Sequence, residues 1–379
     1  MRTAAVICEF NPFHNGHKHL IDTVKKKHAD VVVAIMSGSF VQRGDIAVVD
    51  KYQRALCALQ NGCDLVVELP TVFAISSAPD FAKGGVDIAK ALNADMLCFG
   101  AEDNDTQKLI KTAEIFDDTH FCEKLKEFIK NGEYYPKAVS NAVADIMGEE
   151  YAQIVSKPNN TLAIEYIKSL KHTGISPVAI KRIGTDHDSS ITTQNIASAT
   201  HIRSLIFDNK SYNQFTDMNI TNHADISKLE TAMLYKLRTM QKEDFANLPD
   251  IEAGLHNRLY DCARSSNSLE ELYNNIKTKR YTLSRIRRII INALLGITKY
   301  DKSRNAMYVR VLGMNNTGAK TLKNSTLPVI AKVKQDYEKL SDDAKEMFDI
   351  DVRASEIYSL ALNDKSDFTN DFSAKIIKI

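Results

Sequence analysis

The stretch Phe10-Asn11-Pro12-Phe13-His14-Asn15-Gly16-His17 follows, after Glu9, the apolar run Thr3-Ala4-Ala5-Val6-Ile7-Cys8. The run shows no alternation of polar and apolar residues, which is typical of a strand covered on both faces. The Asn-Pro pair predicts a turn that ends this strand, and the residues after it predict a helix. Gly16 lets the backbone approach a ligand, and the N–H groups at a helix start attract an anion. The sequence therefore predicts a phosphate site where a buried strand meets a helix.

His14 and His17 are the chemical groups of this junction. They are three residues apart, so one helical turn places them on the same side, where both imidazoles can donate to one phosphate. The same spacing also occurs as a surface or capping feature, and as zinc ligands the pair lacks a third partner nearby. Their position just after the first strand, with a turn before them and Gly16 between them, favours a catalytic role.

The composition limits the class of protein. A chain of 379 residues is enough for about two domains. Its 49 Lys and Arg residues balance 48 Asp and Glu residues, so any RNA-binding surface must be local. The six cysteines form no Cys-x-x-Cys pair, and no apolar stretch approaches the ~20 residues of a membrane span. We expect a soluble cytoplasmic protein with reduced thiols and no membrane segment.

Short apolar runs alternate with amphipathic stretches through the first half of the chain. Strands are predicted at 3–8, 31–36, 64–67, 95–99 and 178–183, and helices at 17–27, 50–60, 80–92 and 161–170. This alternation predicts an α/β fold with a parallel sheet, in which ligands gather at the carboxyl ends of the strands.

The pattern changes after about residue 205. A polar loop at 185–194 precedes this point, a polar segment at 209–222 follows it, and helical periodicity then dominates. The sequence predicts one domain over residues 1–207 and a mainly helical domain over residues 208–379, with a small strand at 308–312.

Two segments resemble signatures of the nucleotidyltransferase superfamily. In the first, Asn11, Pro12, His14, Gly16 and His17 match a motif that places two histidines on the α-phosphate of ATP, whereas Cys8 and Glu9 replace the usual Gly and Ser/Thr. The second, Ser198-Ala199-Thr200-His201-Ile202-Arg203, is similar to a Ser-Ser-Thr-x-Ile-Arg stretch, with Ala199 in place of a serine. The resemblance implies a Rossmann-like ATP-binding catalytic domain at residues 1–207.

Further blocks resemble the bacterial tRNA(Met) cytidine acetate ligase family over nearly the whole chain. They are residues 36–45, 50–54, 68–70, 99–102, 277–282 and 308–312. Such enzymes activate acetate with ATP as acetyl-adenylate and pass the acetyl group to N4 of the wobble cytidine of elongator tRNA(Met). The resemblance thus implies ATP, with Mg²⁺, as cofactor, and acetate and tRNA as partners, with the helical domain holding the tRNA.

The candidate site residues follow from these motifs and from the chemistry of adenylation, which needs donors for phosphate charge. The catalytic candidates are His14, His17, Lys51 and Arg203, and Arg54 is a further candidate for phosphate charge. The nucleotide-binding candidates are Ile7, Cys8, Glu9, Phe10, Asn11, Pro12, Phe13, Asn15, Gly16, Lys18, His19, Leu20, Gly100, Asn160, Arg182, Ser198 and Thr200. Ser37, Gly38 and Gln42 are the acetate candidates; Asp45 and Glu102 are candidates for supporting Mg²⁺, although no metal ligand is certain.

The segment 277–288 carries six basic residues and no acidic one. The tRNA candidates are Lys277, Lys279, Arg280, Arg285, Arg287 and Arg288. A charge run of this kind is often a solvated helix face, but in a neutral chain it also forms a local positive patch, and phosphate contacts dominate RNA affinity. Tyr281 is expected either to stack on a base or to anchor the helix in the core.

Two other functions use the same features. One is a small-molecule adenylyltransferase that makes a dinucleotide cofactor with the same histidines, although the basic helical half argues against it. The other is a non-catalytic RNA-binding protein that keeps the fold as a scaffold. ATP–pyrophosphate exchange separates the three functions. It depends on acetate for the ligase and on a nucleotide for the adenylyltransferase, and it does not occur with the non-catalytic RNA-binding protein.

Overall fold

The computed structural model describes residues 1–183, 195–252 and 254–379. The polar loop predicted at 185–194 therefore lies outside the described residues. The strands are β1 Thr3–Cys8, β2 Val31–Ser37, β3 Phe40–Val41, β4 Asp45–Ile46, β5 Leu65–Leu69, β6 Met96–Ala101, β7 Ser176–Lys181, β8 Val309–Met314, β9 Val329–Ile330 and β10 Ile377–Lys378.

The main sheet has the order β10-β8-β5-β2-β1-β6-β7, and β9 pairs with β8. The five strands β5, β2, β1, β6 and β7 are parallel, which confirms the predicted α/β fold with a parallel sheet. β8 pairs antiparallel with β5, so the complete sheet is mixed. The small strand predicted at 308–312 is thus a full member of the main sheet.

Both faces of the central strands are buried, as the unbroken apolar runs predict. Along β1, Ala5 and Ile7 pack into one core, whereas Ala4 and Val6 pack into the core on the opposite face. Successive side chains of a strand point to opposite faces, so a strand covered by helices on both sides must be apolar throughout.

The chain reverses its direction of sheet growth at β1. From β1 it adds β2 and then β5 on one side, and it later returns to place β6 and β7 on the other side of β1. In parallel sheets a ligand crevice opens at such a reversal, at the carboxyl ends of the two strands involved. The histidine stretch follows β1 at this crevice, and Gly100 lies near the end of β6.

Helices cover the sheet and build the rest of the chain. The helices are α1 Asn15–Lys27, α2 Lys51–Gln60, α3 Thr71–Ala74, α4 Ala78–Ala91, α5 Thr106–Glu114, α6 Thr119–Lys130, α7 Tyr135–Met147, α8 Glu149–Ser156, α9 Pro158–Ser169, α10 Ala199–Phe207, α11 Glu230–Thr239, α12 Lys242–Ala246, α13 Leu255–Ser265, α14 Leu269–Ile276, α15 Leu283–Leu295, α16 Lys299–Ser303, α17 Asn316–Thr321, α18 Val333–Tyr337 and α19 Asp342–Ser359. None of the helices in the described ranges is long and apolar enough to cross a membrane.

Two helical regions matter for the site. The helices α6, α7 and α8 lie between β6 and α9 and share a small core of their own that includes Phe121, Val143 and Ala152. The helices α11 to α15 and α19 share the core on the Ile7 face of the sheet. The chain beyond residue 207 thus supplies helices and also β8, β9 and β10; the predicted domain division at residue 207 stays a prediction.

Gly84 allows α4 to lie close to Phe73. A Cβ atom on Gly84 would lie 2.2 Å from Phe73 Cγ, so Gly84→Ala is expected to lower the free energy of unfolding by about 1–3 kcal/mol through overpacking. Urea denaturation followed by circular dichroism measures the change. Lys90→Ala, at an exposed position of the same helix, serves as the control and should stay within about 0.5 kcal/mol of wild type. Equal stability of the two variants would contradict the packing argument.

Candidate active site

The two histidines cap the helix α1. His14 is the N-cap residue: its Nδ1 accepts a hydrogen bond from Gly16 N at 3.0 Å, and His17 Nδ1 accepts one from His14 N at 3.3 Å. The two rings stack, with centroids 3.7 Å apart. The capping interpretation and the catalytic interpretation are therefore compatible, because the capping bonds use only the Nδ1 atom of each ring.

These bonds fix the tautomer of both rings. An Nδ1 atom that accepts a hydrogen bond carries no proton, so a neutral ring has its proton on Nε2. Both histidines then present an Nε2–H donor, next to the N–H groups at the positive end of the α1 dipole. The arrangement suits an anion.

Gly16 and Phe10 hold the stacked pair in place. A Cβ atom on residue 16 would lie 2.9 Å from His14 Cε1, so glycine is needed for the His14 ring to fold back onto the helix start. Phe10 adopts φ 47° and packs its ring 4.9 Å from the His17 ring and 5.0 Å from the Phe13 ring. The turn between β1 and α1 is thus built to position the imidazoles.

Arg54 ties this turn to the loop after β2. Its guanidinium is completely buried and donates hydrogen bonds to the carbonyl oxygens of Val49, Glu9, Ser37 and Gly38. Burial lowers the pKa of Arg54. The sequence suggests Arg54 for binding phosphate charge, but four backbone carbonyl groups occupy its donors. Arg54 therefore holds the ends of β1 and β2 together.

Arg203 reaches the same turn from the second signature. Its NH1 donates to Asn11 O at 2.7 Å, and its NH2 donates to Thr200 Oγ1 at 3.2 Å. Ser198 caps α10 by accepting a hydrogen bond from His201 N. The structure therefore brings the two signatures together, although 192 residues separate Asn11 from Arg203.

A cavity of about 1050 Å³ opens at this junction. Among the predicted site residues, those that line it are Ile7, Cys8, Glu9, Phe10, Asn11, His14, Gly16, His17, His19, Leu20, Gln42, Asp45, Gly100, Arg182, Ser198, Thr200, Arg203, Arg287 and Arg288. Residues from the end of β1, from both signatures and from the Gly100 side therefore surround one common cavity, and their roles stay predictions.

Several predicted nucleotide contacts lie away from this lining. Lys18 forms an exposed ion pair with Asp217, and Asn15 donates through Nδ2 to the carbonyl oxygens of Asn195 and Gln214. The Phe13 ring is buried in the core, and its carbonyl accepts a hydrogen bond from Thr216. Pro12 also does not line the cavity. Phe13, Asn15 and Lys18 thus connect the start of α1 to segment 214–217.

Lys51 lies in a buried ionic cluster outside the cavity. Its Nζ is 2.9 Å from Glu68 Oε2, 2.8 Å from Asp371 Oδ1 and 3.0 Å from Ser355 Oγ. Burial alone would lower the pKa of Lys51, but the carboxylates of Asp371 and Glu68 outweigh it and raise that pKa. Arg310 NH2 lies 3.6 Å from the same Asp371 Oδ1 atom. The structure therefore places Lys51 as a link between α2, β5 and the end of the chain.

The three acetate candidates occupy different positions. Gln42 lines the cavity; its N–H donates to Glu9 Oε1 at 2.8 Å, and its carbonyl accepts from Arg288 NH1 at 3.4 Å. Ser37 is buried, and its Oγ has no hydrogen-bond partner among the described residues. Gly38 packs against Glu68, because a Cβ there would lie 2.1 Å from Glu68 Oε1. Gln42 is the candidate that faces the cavity.

Asn160 and Glu102 support the cavity wall from behind. Asn160 Oδ1 accepts hydrogen bonds from the N–H groups of Glu102 and Asp103, and Glu102 accepts from Asn159 and Asn160. Neither side chain lines the cavity. In the described part of the chain, no group of three or more His, Cys, Asp and Glu side chains could hold a metal ion.

Two carboxylates line the cavity near the histidine turn. Burial raises the pKa of Glu9, although the hydrogen bond from Gln42 and three nearby arginines oppose it. Burial also raises the pKa of Asp45, against a hydrogen bond from Ile46 N. Both carboxyl groups belong to the lining of the same cavity as the stacked histidines.

The basic segment divides into two parts. Arg287 and Arg288 on α15 line the cavity, and Arg288 also pairs with Asp250 at 3.3 Å. Lys277, Lys279 and Arg280 are exposed outside it, whereas Arg285 is held by Asp250 O and Glu252. Tyr281 is half-buried against the main core, with the Arg285 guanidinium 5.3 Å from its ring centroid.

Sequence reasoning missed one wall of the cavity. It is formed by Phe116, by Tyr134, Tyr135 and Lys137 at the start of α7, and by Glu165 on α9. The signal available was the adjacent Tyr-Tyr-Pro triplet at 134–136, because a proline in the first turn marks a helix start and two large rings beside it are unusual on a surface.

Comparisons with known proteins identify chains that are similar to this one. A family model described as HIGH Nucleotidyl Transferase matches residues 1–371. The tRNA(Met) cytidine acetate ligase of Thermoanaerobacter sp. (strain X514) is 38% identical and covers 100% of both chains, and that of Clostridium tetani (strain Massachusetts / E88) is 34% identical over 99% of both. Crystal structures of Thermotoga maritima TmcAL match with TM-scores of 0.91 (apo, form I) and 0.89 (bound with alpha-thio ATP, form II), at 29% and 28% identity and with both chains covered completely.

Removal of the Lys51 ammonium should destabilise the fold. Lys51→Ala leaves the buried carboxylates of Glu68 and Asp371 without their shared cation, and breaking a buried ion pair costs about 3–5 kcal/mol. Chemical denaturation measures the loss. Lys108→Ala, which removes an exposed ion pair with Glu150, is the control and should remain close to wild type. A stable Lys51→Ala protein with impaired catalysis would contradict the structural role.

Proposed function

The chain belongs to the tRNA(Met) cytidine acetate ligases of the HIGH nucleotidyltransferase family, and we propose that it activates acetate with ATP and acetylates N4 of the wobble cytidine of elongator tRNA(Met). One observation carries the proposal: a single cavity is lined both by the stacked histidines and by Arg287 and Arg288 of the basic segment. The nucleotide site and the RNA-binding surface therefore meet at the place where the acyl group would be transferred. A tRNA substrate places the reaction in the cytoplasm.

The histidines act on the α-phosphate. With both Nδ1 atoms accepting from the backbone, the Nε2–H groups of His14 and His17 donate to the oxygens that gain charge when acetate attacks phosphorus. A preorganised donor of this kind is worth roughly 10²–10³ in rate. The alpha-thio ATP complex of the Thermotoga maritima protein supports ATP as the nucleotide.

The remaining phosphates bind beside the start of α1. Arg203, held by Asn11 O and Thr200, supplies positive charge there together with the α1 N–H groups. Mg²⁺ would be held mainly by the phosphates themselves, as is usual for this ion, and Asp45, one of the carboxylates that line the cavity, would support it. The ion would neutralise phosphate charge during activation.

Acetate enters next to Gln42. The adenylation step joins a carboxylate oxygen of acetate to the α-phosphorus and releases pyrophosphate. In the transfer step, the N4 lone pair attacks the acetyl carbon, the bond to the AMP oxygen breaks, and N4 loses a proton. The products are N4-acetylcytidine and AMP. Glu9 lies beside Gln42, so a carboxylate is available near the acetyl group.

The source of the acetyl group is tested with isotopically labelled acetate in the presence of unlabelled acetyl-CoA. Purified protein, ATP and elongator tRNA(Met) are incubated with both, and the nucleosides are analysed by mass spectrometry. Labelled N4-acetylcytidine that requires ATP is the expected result. Unlabelled product formed from acetyl-CoA without ATP would refute the proposal.

His14→Ala and His17→Ala are each expected to lower acetate-dependent ATP–pyrophosphate exchange by at least about tenfold, because each removes a transition-state donor. Circular dichroism establishes that the variants are folded. His120→Ala changes an exposed histidine that does not line the cavity and should retain full exchange. Near-normal exchange in folded variants of both cavity histidines would remove them from catalysis.

The exposed part of the basic segment should bind the tRNA backbone. Lys279→Ala/Arg280→Ala is expected to weaken tRNA binding and to reduce the slope of log affinity against log salt by about 2, because each neutralised side chain removes one cation from the RNA phosphates. Filter binding at several salt concentrations measures both. Lys332→Ala/Lys334→Ala removes the same charge at exposed positions elsewhere and is the control. An unchanged salt slope in the first variant would show that these residues do not bind phosphate.

A further inference from the structure

Two tyrosine rings at the start of α7 are exposed at the edge of the cavity. Tyr134 is 52% exposed and Tyr135 57% exposed, and both contribute to the cavity lining. Ile183, 40% exposed, lines the same cavity. Large apolar surface that stays in water lowers stability, and a cluster of it in a monomer commonly marks a binding surface.

The local structure explains how the rings come to stand there. Tyr134 is the N-cap residue of α7, and Pro136 occupies the first turn of the helix. Farther along α7, Val139 and Val143 pack into the small core shared with α6 and α8. The body of the helix is therefore anchored in that core, while its first residues project to the cavity on a rigid support.

The cavity is large for a single small-molecule ligand. Its volume of about 1050 Å³ lies at the upper limit of the roughly 300–1,000 Å³ of typical small-molecule sites. The proposed function places the nucleotide phosphates at the start of α1, and Gly100 and Arg182, which the sequence predicts for the nucleotide, line the same cavity. The part of the lining formed by Tyr134 and Tyr135 then remains for a second ligand.

The charge around the cavity indicates what this occupant is. Lys137 follows the tyrosines, and Arg287, Arg288 and Lys181 also line the cavity. Aromatic rings beside cationic side chains are the usual means of holding an unstacked RNA base, with the ring stacked on the base and the cations on the flanking phosphates. An enzyme that modifies a base must receive that base out of its stack.

We propose that Tyr134 and Tyr135 form a stacking platform for an unstacked base of the tRNA anticodon loop. By holding this base, the platform presents the cytidine to the acetyl group. The inference rests on the proposed function and adds the part of the cavity that receives the RNA. The platform works through the aromatic rings, and the phenol hydroxyls are not required.

The first test compares two double variants. In Tyr134→Ala/Tyr135→Ala, kcat/KM for acetyl transfer to the RNA should fall at least about tenfold relative to acetate-dependent exchange by the same protein, because the base–aromatic stacking is removed. Tyr134→Phe/Tyr135→Phe keeps both rings and should retain transfer close to wild type. Equal losses of transfer and exchange in the alanine variant, or a loss in the phenylalanine variant as large as that in the alanine variant, would overturn the platform.

The second test uses the absence of tryptophan from the sequence. Tyr135→Trp introduces a single indole at the platform, and its fluorescence should be quenched when an anticodon stem-loop of elongator tRNA(Met) is added. Tyr235→Trp places the indole at a position 70% exposed that does not line the cavity, as the control. Quenching by ATP without RNA would assign the wall to adenine, and no quenching by RNA would also overturn the proposal.

The two proposals fail in different ways. If the wild-type protein shows no acetate-dependent exchange and no acetyl transfer, the proposed function is wrong, whatever the tyrosine variants do. If wild type acetylates the RNA but the alanine variant transfers as well as it exchanges, only the platform is wrong.

Discussion

The buried guanidinium of Arg54 is the interaction on which the site depends. It joins the carbonyl oxygens of Glu9, Ser37 and Gly38, so the ends of β1 and β2 are fixed to each other and to the start of α2. Only arginine offers several donors in one rigid plane, and a buried carbonyl left without a donor costs about 1–3 kcal/mol. The histidine turn and the Gln42 loop keep their relative positions because both begin at strands that this side chain holds.

A second buried cluster secures the same region from the far end of the chain. Lys51 on α2 binds Glu68 on β5 and Asp371, and Tyr308 donates to Asp351, whose other oxygen accepts from Thr71 N. Charges removed from water persist only when they are paired and hydrogen-bonded. The C-terminal half is therefore part of the framework that supports the active site, in addition to carrying the basic segment.

Much of the fold and of the candidate site is predictable from local sequence, whereas the rest depends on contacts between distant segments. β1 begins and ends where the apolar run 3–8 does, because strand periodicity is a local property. The two segments that resemble nucleotidyltransferase signatures both line the cavity. Lys51 was expected at the phosphates, yet its main partner Asp371 lies near the other end of the chain, and nothing in local pattern indicates that pairing. The antiparallel position of β8 and the tyrosine wall of α7 are also products of tertiary packing.

The order of strands has a consequence for synthesis of the chain. β5 is complete at Leu69, but β8, which covers its outer edge, begins at Val309. At translation rates of about 5–20 residues per second, that edge stays without its partner for roughly 10–50 s. An unpaired strand edge readily accepts another strand, including one from a neighbouring nascent chain. The growing polypeptide thus exposes an unpaired strand edge until about the last fifth of the chain emerges from the ribosome. The yield of folded enzyme in a cell depends on that interval being kept free of intermolecular strand pairing.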